Sequence, residues 1–294
     1  MTREEFAADV RAGLCRQGQR RLPPKYFYDE LGALLFEAIT RLPEYGLTRA
    51  DLRVVADLAP AVPRVRSVIE LGAGSAAKTR LILEQQQVPY YPIDVGPAPV
   101  DLPVPVHPIR ATYLEGLESA RTQAPHPSLV LFLGSTIGNF GREEAARFLC
   151  DVSSRLAPGD TFLLGTDLVN DPERLLPAYD DPLGVTASFN KNVLLRMNRE
   201  LGADFDLLQW RHVARWNESE RAMEMFLRSE TEQVVSIPGA GIRFRMAAGE
   251  TIWTESSHKF TAEESVALGE SAGFRLVNQW VDEEWPFAET LFAL

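Results

Sequence analysis

The sequence predicts a doubly wound α/β domain built on a parallel sheet and interrupted by an inserted α+β domain. Three observations carry that expectation. The apolar runs of the first half are continuous instead of alternating, as in strands covered on both faces. Segments of helical period separate those runs. After Asp167 the texture changes to helices followed by alternating strands. The 294 residues, 45% hydrophobic and 24% charged, suffice for two modest domains or one large one and exclude a collagen, a disordered tail or a coiled coil.

Taken in order, the predicted buried strands are Ser67–Leu71, Tyr90–Asp94, a short one near Val104–Ile109, Ser128–Gly134 and Asp160–Asp167, with helices at Ala77–Gln87 and Arg142–Leu156. Helical periods at Asn170–Ala178 and Val185–Leu201 then precede alternating strands at Leu207–Val213, Arg221–Arg228, Glu232–Ile237 and Ile242–Ala247. Thr261 and Glu264 form a T-x-x-E capping box that opens a last helix, Gly273 ends it, and Arg275–Val281 with Glu289–Leu294 make a final strand pair. The expected division is therefore residues 1–49 as the N-terminal part of the substrate domain, 50–169 as the cofactor domain, 170–259 as the insertion and 260–294 as the return to the cofactor domain.

Lys and Arg number 30 against 41 Asp and Glu, a net charge of −11, so the surface field repels phosphate backbones and nucleic acid is not an expected partner. No apolar run approaches the roughly 20 residues that span a bilayer, and the first residues lack the apolar core of a signal peptide. The cytoplasm is the expected compartment and a monomer the expected state. Cys15 and Cys150 are too few for a disulfide framework and are expected as reduced core or boundary residues. His107, His126, His212 and His258 lack ligand spacing, so no metal is expected. Asp282-Glu283-Glu284 before Trp285 reads as a solvated turn.

Glu70-Leu-Gly72-Ala-Gly74 follows an apolar strand and precedes a helix, where a glycine turn lets a ligand approach the backbone. Gly72, Gly74 and Ala77 satisfy the dinucleotide pattern, and Asp94 lies about the 20 residues further on that a ribose acid requires. A nicotinamide cofactor, S-adenosylmethionine and a plain tight turn all fit the loop. Acids ending two adjacent strands, Glu70 and Asp94, favour the adenosyl cofactor, because its amino and sulfonium groups are cationic and its ribose offers two hydroxyls.

Longer segments are more specific. KYFYDELGALLFEAITRLPEYGLTR at Lys25–Arg49, ELGAGSAAKTR at Glu70–Arg80, LFLGSTIGNF at Leu131–Phe140, LLGTDLVND at Leu163–Asp171, AYDDPLGVTASFNKNVLLRMNRELGADFD at Ala178–Asp206 and TESSHKF at Thr254–Phe260 stand in this order. Together they resemble the histidine-specific Nα-methyltransferase family, S-adenosylmethionine enzymes that make hercynine in ergothioneine biosynthesis. The resemblance runs from about Leu22 to the C-terminus. It implies a Rossmann-like class I methyltransferase domain with an α+β substrate domain formed by the N-terminal segment and the mid-chain insertion.

The resemblance also implies roles. Glu70, Gly72, Gly74 and Lys78 match the cofactor motif, Asp94 the ribose acid, and Thr112-Tyr113 the pair beside the adenine. Asn139 and Tyr179 would hold the amino-carboxylate end of the amino acid, with Tyr28 near the same end, and these three are the candidates for catalysis. Tyr45, Glu255 and Ser257 would face the imidazole, and Phe189 and Met225 would line the pocket. The chemistry is sound: an amide and phenols bind a carboxylate without adding charge, while an acid and a hydroxyl match two ring nitrogens. An N-methyltransferase of another amino acid or small amine is the alternative, followed by a nicotinamide oxidoreductase or a non-catalytic binding protein.

Three departures from the family pattern stand out. The segment between Asp94 and Thr112 is short and proline-rich, which forbids a regular helix. Thr112-Tyr113 replaces an acid and an aromatic. Gly46 replaces a bulkier residue after Tyr45, which would loosen the pocket.

Overall fold

A computed structural model describes residues 2–96 and 101–294. The chain divides into two compact units, one of Met1–Tyr45 with Asp171–Ser257, the other of Gly46–Asn170 with His258–Leu294.

The second unit is built on a seven-stranded sheet. In chain order its strands are β1 (Ser67–Leu71), β2 (Tyr90–Asp94), β3 (Ile109–Arg110), β4 (Ser128–Phe132), β5 (Thr161–Asp167), β6 (Arg275–Asp282) and β7 (Phe287–Ala293). Their order across the sheet is β6-β7-β5-β4-β1-β2-β3. The pairs from β3 to β5 are parallel, and β7 runs antiparallel to both β5 and β6. Every residue of β1, β4 and β5 is buried, which is why their sequences read as unbroken apolar runs. The order reverses beside β1, so β1 and β4 diverge at their C-terminal ends, where open α/β sheets bind ligands.

Helices Thr79–Gln86, Tyr113–Arg121, Arg142–Ser153 and Ala262–Ser271 belong to this unit. The capping box of the last is formed: Thr261 Oγ1 accepts from Glu264 N at 3.1 Å and Thr261 N donates to Glu264 Oε2 at 2.9 Å. No period reading identified Tyr113–Arg121, whose apolar face is narrow. Ahead of β3, Val106 forms a parallel bridge with Tyr90, and His107 N donates to Tyr90 O at 2.8 Å. Part of the proline-rich stretch, 97–100, lies outside the described residues.

The structure bears on three expectations: the acidic run, Gly46 and the cysteines. The acidic run does lie in the turn between β6 and β7, with Glu283 and Glu284 exposed, but Asp282 receives two hydrogen bonds from Arg53 and Trp285 is buried, its indole Nε1 donating to Asp167 at 3.0 Å. A Cβ at Gly46 would collide with the Trp285 ring, so the space that a larger residue would fill is already occupied. The cysteines are exposed, not core or boundary residues.

The first unit holds a four-stranded sheet in the order Arg20–Arg21, Thr251–His258, Ala222–Ser229, Trp210–Asn217, together with the hairpin Gln233–Ile237 and Ile242–Met246. Helices Arg3–Leu14, Glu30–Ile39, Pro172–Tyr179 and Val185–Leu201 complete it. Asp29 ties its N-terminal part to the insertion. It caps Glu30–Ile39 through Gly32 N at 2.8 Å and accepts from Asn192 at 2.7 Å and Arg199 at 2.6 Å. Burial opposes the Asp29 charge, but these bonds outweigh it and hold the carboxyl below the usual range. Among the described residues no helix is long and apolar enough to cross a membrane.

Candidate functional site

At the C-terminal end of β1 the chain turns through Gly72 (φ +78°) and Gly74 (φ +49°), a left-handed path that side chains disfavour. Gly72 N donates to Ile93 O at 2.8 Å, which continues the β1–β2 pairing into the turn. A Cβ at Gly72 would press on the Tyr113 ring at 3.3 Å, whereas one at Gly74 would meet open space. The loop thus leaves its backbone accessible, as a nucleoside ligand requires.

Asp94 ends β2 and accepts from Gly74 N at 3.2 Å and Gly96 N at 2.8 Å, so the carboxylate is held on the glycine loop. Tyr113 lies against Phe132 and Phe148, and burial, followed by the charge of Asp94, raises its phenol to about 12. Thr112 precedes the helix without capping it, its hydroxyl donating instead to Glu115 at 2.7 Å. Lys78 forms an ion pair with Asp51.

Glu70 behaves differently from its neighbours. It is buried and accepts from Thr79 at 2.7 Å and from the Tyr90 hydroxyl. One oxygen, Oε2, thus braces both the first residue of the following helix and Tyr90 of β2. Burial is the main force on its pKa and lifts it to about 7 against the lowering effect of those two bonds.

Asn139 closes a short 3-10 turn, Thr136–Asn139, that follows β4. Ser135 ahead of it adopts φ +58°, a conformation costly for a residue with a Cβ, and its hydroxyl accepts from Asp167 N at 2.8 Å. The turn is pinned by His258, whose Nδ1 donates to Gly138 O at 2.9 Å. His258 therefore supports the segment that presents Asn139, a role its lone position in the sequence does not reveal.

The other unit gathers the remaining candidates. Tyr179 ends its helix, and its carbonyl accepts from His212 Nε2 at 2.7 Å, while His212 Nδ1 accepts from Asn190 at 2.8 Å. These partners define the neutral Nε2–H tautomer, and burial lowers the pKa of the imidazole. Asp181, two residues on, caps Val185–Leu201 through Val185 N and Thr186 N. The segment is thus both a capped turn and the mount of a buried phenol.

The Tyr179 hydroxyl donates to Ser257 Oγ at 2.9 Å, and its ring meets Tyr45 edge-on with centroids 6.4 Å apart. Tyr179 and Ser257, expected at opposite ends of the amino acid, thus have their hydroxyls in direct contact. Glu255 and Ser257 are both buried and share one face of their strand by its two-residue period. Phe189 is buried against Phe27, Tyr28 and Phe36, with Tyr28 edge-on at 5.6 Å, and Tyr28 itself is 36% exposed. Met225 is buried, and its carbonyl accepts from Thr254, one residue before Glu255.

The donor set suits S-adenosylmethionine: Asp94 for vicinal hydroxyls, Lys78 for a carboxylate, and a glycine loop that a side chain would obstruct. Among the described residues no group of three or more His, Cys, Asp or Glu side chains is placed to hold a metal ion. The sheet order, its reversed β7 and this loop define a Rossmann-like class I methyltransferase domain. A family model described as histidine-specific methyltransferase, SAM-dependent, matches residues 6–294, and the chain belongs to that family.

Relatives agree. A histidine N-alpha-methyltransferase from Mycolicibacterium smegmatis is 41% identical over 98% of this chain and 94% of its own. One from Mycobacterium tuberculosis is 40% identical over 97% and 94%. Ergothioneine biosynthesis protein 1 of Neurospora crassa is 32% identical over 90% of this chain and 32% of its own length.

Proposed function

We propose that this chain methylates the α-amino nitrogen of L-histidine three times, giving the trimethylammonium betaine hercynine for ergothioneine biosynthesis. The observation that carries the reading is the buried pair Glu255 and Ser257 on one strand face, with the Tyr179 phenol bonded to the serine. An acid and a hydroxyl beside each other match a ring with one N–H and one lone pair. A leucine side chain would offer neither group a donor or an acceptor, which is how polar sites reject analogues by large factors.

S-adenosylmethionine, when bound, supplies an electrophilic methyl group, and Gly72, Gly74, Lys78, Asp94, Thr112 and Tyr113 are the residues that would hold it. Asn139 and Tyr28 orient the amino-carboxylate end of the substrate, and Tyr179 serves both that end and the Ser257 hydroxyl. An α-amino group has a reference pKa of ~7.7–8.0, so a neutral fraction exists near neutral pH and no strong base is required. Burial raises that fraction, since desolvation disfavours the ammonium.

Holding the nitrogen in a near-attack geometry contributes up to ~7–11 kcal/mol in well-oriented systems. The first two transfers each give an ammonium that loses a proton to water before the next, the third gives a permanent cation, and the ring faces of Phe189 and Tyr45 tolerate these charges at ~0.5–2 kcal/mol. The test incubates the protein with S-adenosylmethionine and a panel of amino acids and amines and counts added methyl groups by mass spectrometry. Three additions to histidine are expected. Methylation of another compound with histidine untouched overturns the reading.

A further inference from the structure

Behind Lys78 lies a charge cluster that neither the family motif nor the proposed chemistry accounts for. Asp51, on the helix Gly46–Leu58, is fully buried; its Oδ2 accepts from the Lys78 ammonium and from Gly134 N at 3.1 Å. Glu289, in the middle of β7, is also fully buried and faces Asp51. Neither Glu289 oxygen, nor Asp51 Oδ1, has a hydrogen-bond partner. Room for the cluster comes from two glycines of the motif segments. A Cβ at Gly165 would stand 2.6 Å from Glu289 Oε1, and one at Gly134 3.2 Å from Lys78 Nζ.

Two carboxylates cannot face each other in the interior without a proton between them. A single proton on Glu289, donated to Asp51 Oδ1, gives a hydrogen bond to one oxygen of each residue. We propose that Asp51 and Glu289 form a buried carboxyl pair that holds one proton, and that this pair positions Lys78 to bind the carboxylate of S-adenosylmethionine. Asp51 and Glu289 are thus positioning residues. The inference rests on the reading of Lys78 as part of the cofactor motif, not on the identity of the methylated amino acid.

Electrostatics explain why the proton matters. Burial, and then the charge of Asp51, keeps the Glu289 carboxyl protonated well above the usual range, while Lys78 lowers it and Glu70 adds to the upward push. Asp51 in turn lifts the Lys78 ammonium above its ordinary value against the effect of burial. With one proton on the pair, the trio is neutral. Without it, the site carries a net negative charge and repels the cofactor's only anionic group. Lys78 has three donors and 23% of its side chain exposed, so it can hold Asp51 and still reach a ligand.

The test measures infrared spectra and S-adenosylhomocysteine binding by calorimetry on the full chain. The difference spectrum of wild type and Glu289→Gln at neutral pH should show the carbonyl stretch of a protonated carboxyl, a band that carboxylates lack. Glu289→Gln, a neutral isostere, should keep affinity within about threefold, whereas Asp51→Asn should weaken it by about tenfold or more. Should Asp51→Asn not fold, the spectrum and the Glu289→Gln affinity still decide. Absence of the protonated-carboxyl band, or loss of binding in Glu289→Gln, overturns the proposal, as does a wild type that retains no S-adenosylhomocysteine. Failure to methylate histidine leaves these readouts intact and bears on the substrate alone.

Discussion

The hydroxyl of Tyr179 donates to Ser257 Oγ at 2.9 Å, joining a residue at the end of a helix to one on a strand 78 positions later. The serine accepts from the phenol and has a proton of its own to donate, so on the proposed function the pair would act as one donor chain toward a ring nitrogen. Deleting either hydroxyl disturbs the other.

That bond predicts coupled effects. Tyr179→Phe and Ser257→Ala should each raise the KM for histidine, and the double variant should cost less than the sum, with a coupling of ~0.5–3 kcal/mol. Strictly additive losses would show that the hydroxyls act independently and that the bond has no part in binding.

Glu255 should instead govern selectivity. Its buried carboxylate matches the imidazole N–H, so Glu255→Ala should reduce kcat/KM for histidine by about 1–3 kcal/mol more than for any other accepted amino acid or amine. Competition assays across a panel check this. A uniform loss would place Glu255 in the strand's packing and not in recognition.

His258 supplies a third test, since its Nδ1 holds Gly138 O beside Asn139. His258→Ala removes a bond worth about 1 kcal/mol and frees the turn. Histidine KM should rise several-fold while S-adenosylhomocysteine affinity measured by calorimetry stays level. Gly138→Ala should have a stronger effect, because its Cβ would stand 2.8 Å from His258 O. If both variants bind histidine normally, the turn needs no such support.

Much of this was legible in the chain and some was not, for physical reasons. Strands β1, β2, β4 and β5 announce themselves because burial on both faces forces unbroken apolar runs. Local rules also sufficed for the capping box at Thr261 and the glycine loop. Asp51 and Glu289 stayed hidden because each sits in an ordinary amphipathic or mixed context, and only the fold makes both buried. The burial of Trp285 after three acids was not legible, because Gly46, distant in sequence, makes the space for its ring. The Tyr179–Ser257 bond is likewise a product of tertiary packing that neither segment encodes alone.

Glu70 gives the last prediction, a dependence of stability on pH. Its carboxyl is raised from 4.5 to about 7, chiefly by burial, so the folded state binds its proton more tightly than the unfolded chain does. The stability this contributes is fully present below pH 4.5 and is lost as pH rises through about 7, after which it stays level. The span corresponds to about 3 kcal/mol. Glu70→Gln keeps a neutral side chain beside Thr79 and Tyr90 and removes the titration. Urea denaturation should therefore show the variant gaining on wild type by about that amount between mildly acidic and neutral pH. Parallel stability curves for the two proteins across that range would mean that the Glu70 pKa is not raised by folding.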